Sequence, residues 1–87
     1  MRTWKITYSQ QAKKDLKILL ASPYRHKAIA LLEIILSDPF QTPPLFETLL
    51  GNNKYSRRIN HQHRLVYGID SENGIIILLS CWTHYHE

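Results

Sequence analysis

The sequence predicts an α+β fold in which two N-terminal helices pack on one face of an antiparallel sheet and leave the other face open. Two observations support this prediction. Apolar residues recur at helical spacing up to residue 37, and from residue 55 onward they follow the patterns of strands. The predicted order is β-α-α-β-β-β. No repeat or linker divides residues 1–87, which are therefore expected to form a single domain.

Local signals predict the first strand and the first helix. Trp4–Tyr8 alternates and is rich in strand formers. Ser9 is a residue type that caps helices, and a helical pattern follows it. One face of that pattern is apolar (Ala12, Leu16, Leu19, Leu20), and the other carries lysines (Lys13, Lys14, Lys17). This spacing predicts an amphipathic helix.

The second helix is predicted between two proline signals. Ser22-Pro23 places a good N-cap residue before a proline at the first helical position. Helical spacing then continues up to Ser37 through the apolar residues Ala28, Leu31, Leu32 and Ile35. Asp38-Pro39 is expected to end the helix, because the residue before a proline is biased away from helical geometry.

A long loop and three strands are predicted for the second half of the chain. The loop is Gln41–Lys54, and the strands are Tyr55–Asn60, His63–Ile69 and Ile75–Trp82. Asn73-Gly74 between the last two strands is a hairpin signal. The last strand begins with five consecutive apolar residues, which predicts a well-buried position inside the sheet.

Composition limits the classes of function. The chain is 44% hydrophobic and 21% charged, which is ordinary for a globular protein. Its one cysteine excludes an internal disulfide, and its N-terminus is too polar for a signal peptide. A cytoplasmic protein that does not interact with membranes is expected. The net charge of +4 suits a polyanionic partner, either a nucleic acid or an acidic protein segment.

Basic residues are concentrated between residues 57 and 64, which include three arginines and two histidines. Because side chains alternate along a strand, Arg57 and Arg58 are expected on opposite faces. Arg64 is expected on the opposite face from His63. Two adjacent strands can therefore bring arginines onto one sheet surface, where guanidinium groups can hold phosphate. The alternative is a solvated basic rim.

Three residues outside this cluster could take part in acid–base chemistry. His84 can exchange a proton near neutral pH, and Tyr85 can stack on a base or bind a phosphate. The alternative for both is a frayed terminus whose aromatic rings cap the core. Glu47 is the carboxylate in the long loop that leads to the arginines, and it is the leading candidate for a general base. Its alternative is a solvated loop residue.

A metal site is not expected. His61-x-His63 and His84-x-His86 each place two imidazoles on one strand face. No cysteine pair or acidic ligand at supporting spacing accompanies them.

The motifs SRRI from Ser56, HRLVY from His63 and HY at His84 together resemble the YoeB/Txe family of bacterial toxins. The resemblance covers nearly the whole chain and implies a RelE-like, microbial-ribonuclease fold. Members are metal-independent endoribonucleases without cofactors, and they cleave messenger RNA at the ribosome. An acidic antitoxin of the YefM/Axe type neutralises them, and the pair represses its own operon. Operator DNA is therefore expected as a partner only through that complex, and homodimers also occur in the family.

The resemblance assigns roles to residues of this chain. It implies Arg64, His84 and Tyr85 as catalytic residues, with Arg57, Arg58 and His63 as further RNA-phosphate contacts. The family's catalytic glutamate falls on Pro43 when a Pro-Leu pair is aligned, and on Glu47 when Phe46-Glu47-x-Leu49 is aligned. Chemistry favours Glu47. The chain also departs from the family in the length of the loop after Glu47 and in the two residues that follow Tyr85.

The implied reaction is attack of the RNA 2′-hydroxyl on the adjacent phosphate. Glu47 is expected to take the 2′ proton, and Arg64 with Arg58 to hold the phosphate. His84 is expected to protonate the leaving 5′-oxygen, with Tyr85 orienting the base or the phosphate. Three alternatives remain: a non-catalytic module that binds RNA or the ribosome, an interaction domain for an acidic protein, and a degenerate toxin that only binds its antitoxin.

Overall fold

The computed structural model describes residues 4–43, 46–49 and 54–82. Within these ranges the chain forms two helices and five strands: β1 (Lys5–Tyr8), α1 (Gln10–Leu20), α2 (Arg25–Ser37), β2 (Glu47–Leu49), β3 (Lys54–Arg58), β4 (Arg64–Asp70) and β5 (Ile75–Ser80). No helix in the described ranges is long and apolar enough to cross a membrane.

The strands form one sheet in the order β1-β5-β4-β3-β2. β5 therefore lies between two neighbours, as its apolar run predicted. Strand β1 pairs with β5 in parallel, whereas the other three pairings are antiparallel. The α+β prediction is confirmed, but the sheet is mostly rather than wholly antiparallel. Parallel strands cannot be joined by a tight turn and need a long connection. Here both helices, α1 and α2, follow β1 in the sequence before the chain re-enters the sheet.

Strand β2 lies inside the predicted loop Gln41–Lys54, so the loop prediction is wrong for Glu47–Leu49. Its residues Glu47–Leu49 pair with Lys54–Ser56 of β3. Three residues are too few to show an alternating pattern, and prolines shortly before them favour a loop in the sequence. The strand depends on backbone pairing with β3, which only the folded chain supplies.

Helix α1 begins as predicted. The Ser9 hydroxyl accepts a hydrogen bond from the Ala12 amide at 3.0 Å, which satisfies a free donor of the first turn. The same hydroxyl donates to the Leu79 carbonyl at 2.8 Å and so fastens the helix start to β5. Ala12 and Leu19 are buried and Leu16 packs against the core. Leu20, predicted on the same face, is 38% exposed.

Helix α2 starts later than predicted, at Arg25 rather than Pro23. The Ser22 hydroxyl donates to the Leu19 carbonyl at 2.6 Å and accepts from the Tyr24 amide at 3.1 Å. Ser22 therefore closes the turn between the helices instead of capping the second one. The helix ends at Ser37 with Asp38 as its C-cap, as Asp38-Pro39 predicted.

One face of the sheet forms the core with the helices. Its buried residues come from β4 and β5 (Leu65, Tyr67, Ile69, Ile76, Leu78) and from the helices (Ala12, Leu19, Ala28, Leu31, Ile35). The turn between β4 and β5 contains Gly74 at a φ of 67°, which confirms the hairpin signal. Asp70 accepts hydrogen bonds from the side chain and backbone of Asn73, and these bonds lower the pKa of Asp70.

Candidate active site

The register of β2, β3 and β4 selects the residues that share the open face of the sheet. Ser56 of β3 lies opposite Glu47 of β2 and opposite Val66 of β4. Two positions further along β3, Arg58 lies opposite Arg64. Residues directly opposite one another in antiparallel strands project to the same side, and alternate residues of one strand do so as well. The other set of side chains belongs to the core, so these five point away from the helices.

A carboxylate and a guanidinium meet on this face. Nη1 of Arg64 lies 3.3 Å from Oε2 of Glu47. The same nitrogen donates to the Ser56 hydroxyl at 3.3 Å. The Glu47 side chain is 62% exposed and that of Arg64 is 24% exposed. An ion pair this exposed typically contributes about 0–1 kcal/mol to stability, so its position matters more for ligand chemistry than for folding.

Arg58 adds a second guanidinium beside this pair. It is exposed and lies directly opposite Arg64 across the β3–β4 hairpin. Like charges at directly opposite positions destabilise a sheet. A bound anion between them would remove that repulsion, and guanidinium groups match the oxygens of a phosphate. The face therefore presents one carboxylate and two cations to an anionic ligand.

Two serines that sequence reasoning did not single out lie beside these groups. Ser56 is 1% exposed and accepts a hydrogen bond from Arg64. Alternation from Arg58 is a signal that could have placed Ser56 on this face. A β-bulge in β5 places Ser80 opposite Val66, and the buried Ser80 hydroxyl has no hydrogen-bond partner among the described residues. No sequence signal indicated the bulge.

Arg57 lies on the opposite face, which is inconsistent with the expected phosphate contact. It is 1% exposed. Its Nε donates to the Tyr67 hydroxyl at 3.0 Å, and its Nη2 donates to the carbonyls of Pro39 and Gln41 at 3.0 and 2.9 Å. Burial raises the pKa of Tyr67, and the hydrogen bond from Arg57 opposes that rise. We therefore leave Arg57 out of the open-face site.

The described contacts of the His63 ring are with aromatic residues. Its ring stacks on that of Trp82 with centroids 4.0 Å apart and an interplanar angle of 17°. Its Nδ1 contacts the Trp82 carbonyl oxygen, and Tyr24 lies 5.8 Å from its ring centroid. The expected phosphate contact by His63 does not follow from this placement. The His63 ring instead packs against Trp82, the last of the described residues.

Asp15 is a further residue that sequence reasoning did not select. It is 3% exposed, and its Oδ2 accepts a hydrogen bond from the Cys81 amide at 3.1 Å. Its Oδ1 accepts from the Gln11 side chain at 2.8 Å. Burial, with a smaller effect from Asp15, raises the pKa of the Cys81 thiol to about 12. Asp15 thus fastens the end of β5 to α1.

Residues 6–85 match a family model described as the YoeB-like toxin of bacterial type II toxin–antitoxin systems. The match covers nearly the whole chain. This chain belongs to the YoeB family. It is therefore a toxin of a toxin–antitoxin system, as the motifs SRRI and HRLVY indicated.

Known proteins agree with this assignment to the YoeB family. Toxin YoeB of Synechocystis sp. is 39% identical over 61 residues, which cover 66% of each protein. The solved YoeB dimer from Staphylococcus aureus is 36% identical and has a TM-score of 0.79, with 97% of this chain and 100% of that chain covered. The YoeB–YefM complex from the same organism is 35% identical over the same shares, with a TM-score of 0.77. The predicted RelE-like fold is confirmed.

The predicted YoeB-family site is only partly described by the structure. Glu47, Arg58 and Arg64 are brought together, whereas His84 and Tyr85 lie outside the described residues. Of the two alignments for the family's glutamate, the one on Glu47 puts a carboxylate beside Arg64. In the described part of the chain, no three His, Cys, Asp or Glu side chains are grouped as metal ligands.

Proposed function

We propose that this YoeB-family toxin is an endoribonuclease that cleaves messenger RNA at the ribosome without a metal ion. The observation that carries the proposal is the Glu47–Arg64 pair on the open face, 3.3 Å between Oε2 and Nη1, with Arg58 opposite Arg64. A base next to a phosphate-binding cation is what cleavage by the RNA 2′-hydroxyl requires.

The reaction uses the substrate's own nucleophile. Glu47 takes the proton of the 2′-hydroxyl as that oxygen attacks the adjacent phosphorus. The bond from phosphorus to the 5′-oxygen breaks, and that oxygen receives a proton from His84. The products are a 2′,3′-cyclic phosphate and a free 5′-hydroxyl. DNA is expected to survive, because it has no 2′-hydroxyl.

Arg58 helps to hold the phosphate, and Arg64 stabilises the charge that develops on its oxygens. In the free protein Arg64 contacts Glu47, which neutralises part of its charge. When a phosphate binds, Arg64 can turn to its oxygens, and Glu47 is then free to accept the 2′ proton. Tyr85 orients the RNA base or the phosphate. The roles of His84 and Tyr85 rest on the HY motif that follows Trp82 in the sequence.

The same basic face is expected to bind an acidic antitoxin of the YefM type. Support comes from the Staphylococcus aureus relative, whose solved structure is a YoeB–YefM complex. An acidic segment on Arg58 and Arg64 would block access to Glu47 and so inhibit cleavage. Operator DNA is expected to be bound only by the complex. A homodimer is expected as well, since the other Staphylococcus aureus structure is of a dimer.

Induced expression in bacteria tests the proposal. Growth and the 5′ ends of messenger RNA, mapped by primer extension, are compared for the natural chain, Glu47→Gln, His84→Ala and Glu33→Gln. Glu33 is an exposed carboxylate on α2 and serves as the matched control. New cleavage ends are expected with the natural chain and with Glu33→Gln. Loss of an acid or a base typically lowers the rate by ~10²–10⁴-fold, so the other two variants should give none.

Two outcomes would overturn the proposal. Equal growth arrest by all four proteins without new RNA ends would favour a module that binds RNA or the ribosome without cutting. Absence of any effect from the natural chain, in cells that lack an antitoxin, would favour a degenerate toxin that only binds its antitoxin.

A further inference from the structure

We propose that the buried Arg57 is a positioning residue that holds Glu47 at the place where it can act as a base. This inference rests on the proposed function for the role of Glu47. The contacts of Arg57 do not depend on that function. Arg57 and Arg58 are adjacent in sequence but lie on opposite faces of β3, where Arg57 is buried and Arg58 is exposed.

The Arg57 guanidinium binds the chain directly after α2. Its Nη2 donates to the carbonyl oxygens of Pro39 and Gln41 at 3.0 and 2.9 Å. Its Nε donates to the Tyr67 hydroxyl at 3.0 Å, and that hydroxyl donates in turn to the Pro39 carbonyl at 3.0 Å. Arg57 and Tyr67 thus fasten the beginning of the segment that leads to β2.

The same guanidinium also holds the far end of that segment. Its central carbon lies 5.0 Å from the centroid of the Phe46 ring, a cation–π distance. Phe46 is the residue directly before Glu47. Its ring meets those of Phe40 and Tyr55 edge to face, at 6.5 and 5.7 Å. One side chain therefore binds the connection to β2 near residue 40 and again at residue 46.

Strand β2 needs this support because its own pairing is short. It has three residues and one neighbouring strand, β3, in the described sheet. Few backbone hydrogen bonds can form over that length, and short edge strands are weakly held. The aromatic cluster and Arg57 below the sheet restrict where Phe46 can lie, and so restrict the Glu47 side chain on the other side. A displacement of about 1 Å in a catalytic group can cost ~10²-fold in rate.

Arginine is suited to this position in a way that lysine is not. The planar guanidinium donates in fixed directions to several acceptors and can stack on an aromatic ring. The ammonium group of a lysine could contact only some of the acceptors and rings that Arg57 contacts. Arg57→Lys is therefore expected to keep the charge but loosen Phe46 and the segment after Pro39.

Matched variants of the two neighbouring arginines test the inference. For Arg57→Lys we expect a fall in kcat of ~10–100-fold with KM almost unchanged, because the RNA contacts on the open face remain. For Arg58→Lys we expect the main change in KM. In a Glu47→Gln background, Arg57→Lys should change the residual rate less than about twofold, since the group that it positions is already lost.

A second readout is independent of catalysis. Hydrogen exchange of the β2 amides (47–49) should be at least about tenfold faster in Arg57→Lys than in the natural chain and unchanged in Arg58→Lys. Circular dichroism and the thermal midpoint show whether each variant is folded. If Arg57→Lys does not fold, Tyr67→Phe replaces it, because it removes one acceptor of Arg57 and the donor to Pro39 while keeping an aromatic ring.

The outcomes separate the inference from the proposed function. If the natural chain cleaves no RNA, the proposed function fails, and the positioning role in catalysis fails with it. If cleavage occurs but Arg57→Lys leaves β2 exchange and kcat unchanged, the inference alone is wrong. A rise in KM that adds fully to the effect of Glu47→Gln would instead make Arg57 an RNA contact and would also overturn the inference.

Discussion

Glu47 and Arg64 meet across an intervening strand: the first belongs to β2, the second to β4, and Ser56 of β3 lies between them. The Arg64 Nη1 lies 3.3 Å from both the Glu47 carboxylate and the Ser56 hydroxyl. Three strands thus converge on one guanidinium nitrogen. The Glu47 side chain is exposed and that of Arg64 is half-buried, so the carboxylate is the more accessible group of the pair.

Glu47→Gln is expected to abolish cleavage while keeping RNA binding. The amide cannot accept a proton, so we expect a fall in kcat of ~10²–10⁴-fold. Affinity for RNA should stay the same or rise, because Arg64 loses a competing carboxylate. Single-turnover cleavage and binding to a 2′-O-methyl RNA measure the two effects. A loss of affinity with an unchanged kcat would contradict the assignment of Glu47 as base.

Arg58→Gln is expected to remove one phosphate contact. The slope of log Kd against the logarithm of the salt concentration should become shallower by ~0.7, the contribution of one phosphate contact on a single-stranded RNA. Fluorescence titration with a 2′-O-methyl RNA at several salt concentrations measures it. An unchanged slope would show that Arg58 does not contact the backbone.

His63→Gln provides the contrasting case. The imidazole stacks on Trp82 and contacts the Trp82 carbonyl oxygen, so we expect an unchanged salt slope. The emission of Trp82 should change, because the stacked ring is lost; Trp4→Phe in both proteins isolates that signal. A salt slope reduced as in Arg58→Gln would restore His63 as a phosphate contact.

Asp15→Ala is expected to lower the free energy of unfolding. It leaves the amide of the buried Cys81 without its carboxylate acceptor, and an unsatisfied buried donor costs about 1–3 kcal/mol. Urea denaturation followed by circular dichroism measures the loss. The exposed Glu33→Ala on α2 is the control and should change stability by less than about 0.5 kcal/mol. Equal effects of the two substitutions on the free energy of unfolding would show that the hydrogen bond from the Cys81 amide to Asp15 does not stabilise the fold.

Alkaline pH is expected to destabilise the protein through Cys81. The thiol ionises near pH 8.5 in the unfolded chain, whereas burial raises its pKa to about 12 in the fold. The unfolded state therefore binds fewer protons between these values, so the free energy of unfolding falls as the pH rises through that window. Urea titrations from about pH 8 to 9 measure the slope, before ionisation of Tyr67 in the unfolded chain, near pH 10, adds to it. Cys81→Ala should flatten it, and an equal slope in both proteins would contradict the prediction.

Local patterns were sufficient to predict much of this protein. The Ser9 cap, the apolar spacing of α2 and the Asn73-Gly74 turn each depend on neighbours a few residues away, and each is confirmed. Strand alternation also put Arg57 and Arg58 on opposite faces, and the register of β3 with β4 then brought Arg58 and Arg64 onto one face. The motifs SRRI and HRLVY identified the family, because they combine residue types at a fixed spacing.

Tertiary structure decided what alternation left open. The sequence by itself determined that Arg57 and Arg58 face opposite ways, but the carbonyls of Pro39 and Gln41 decided which of the two is buried. The pairing of Glu47–Leu49 with β3 and the burial of Asp15 against Cys81 likewise depend on segments far apart in sequence. A short strand and a buried charge are stable only when distant groups provide their hydrogen-bond partners, and no local pattern records where those groups will lie.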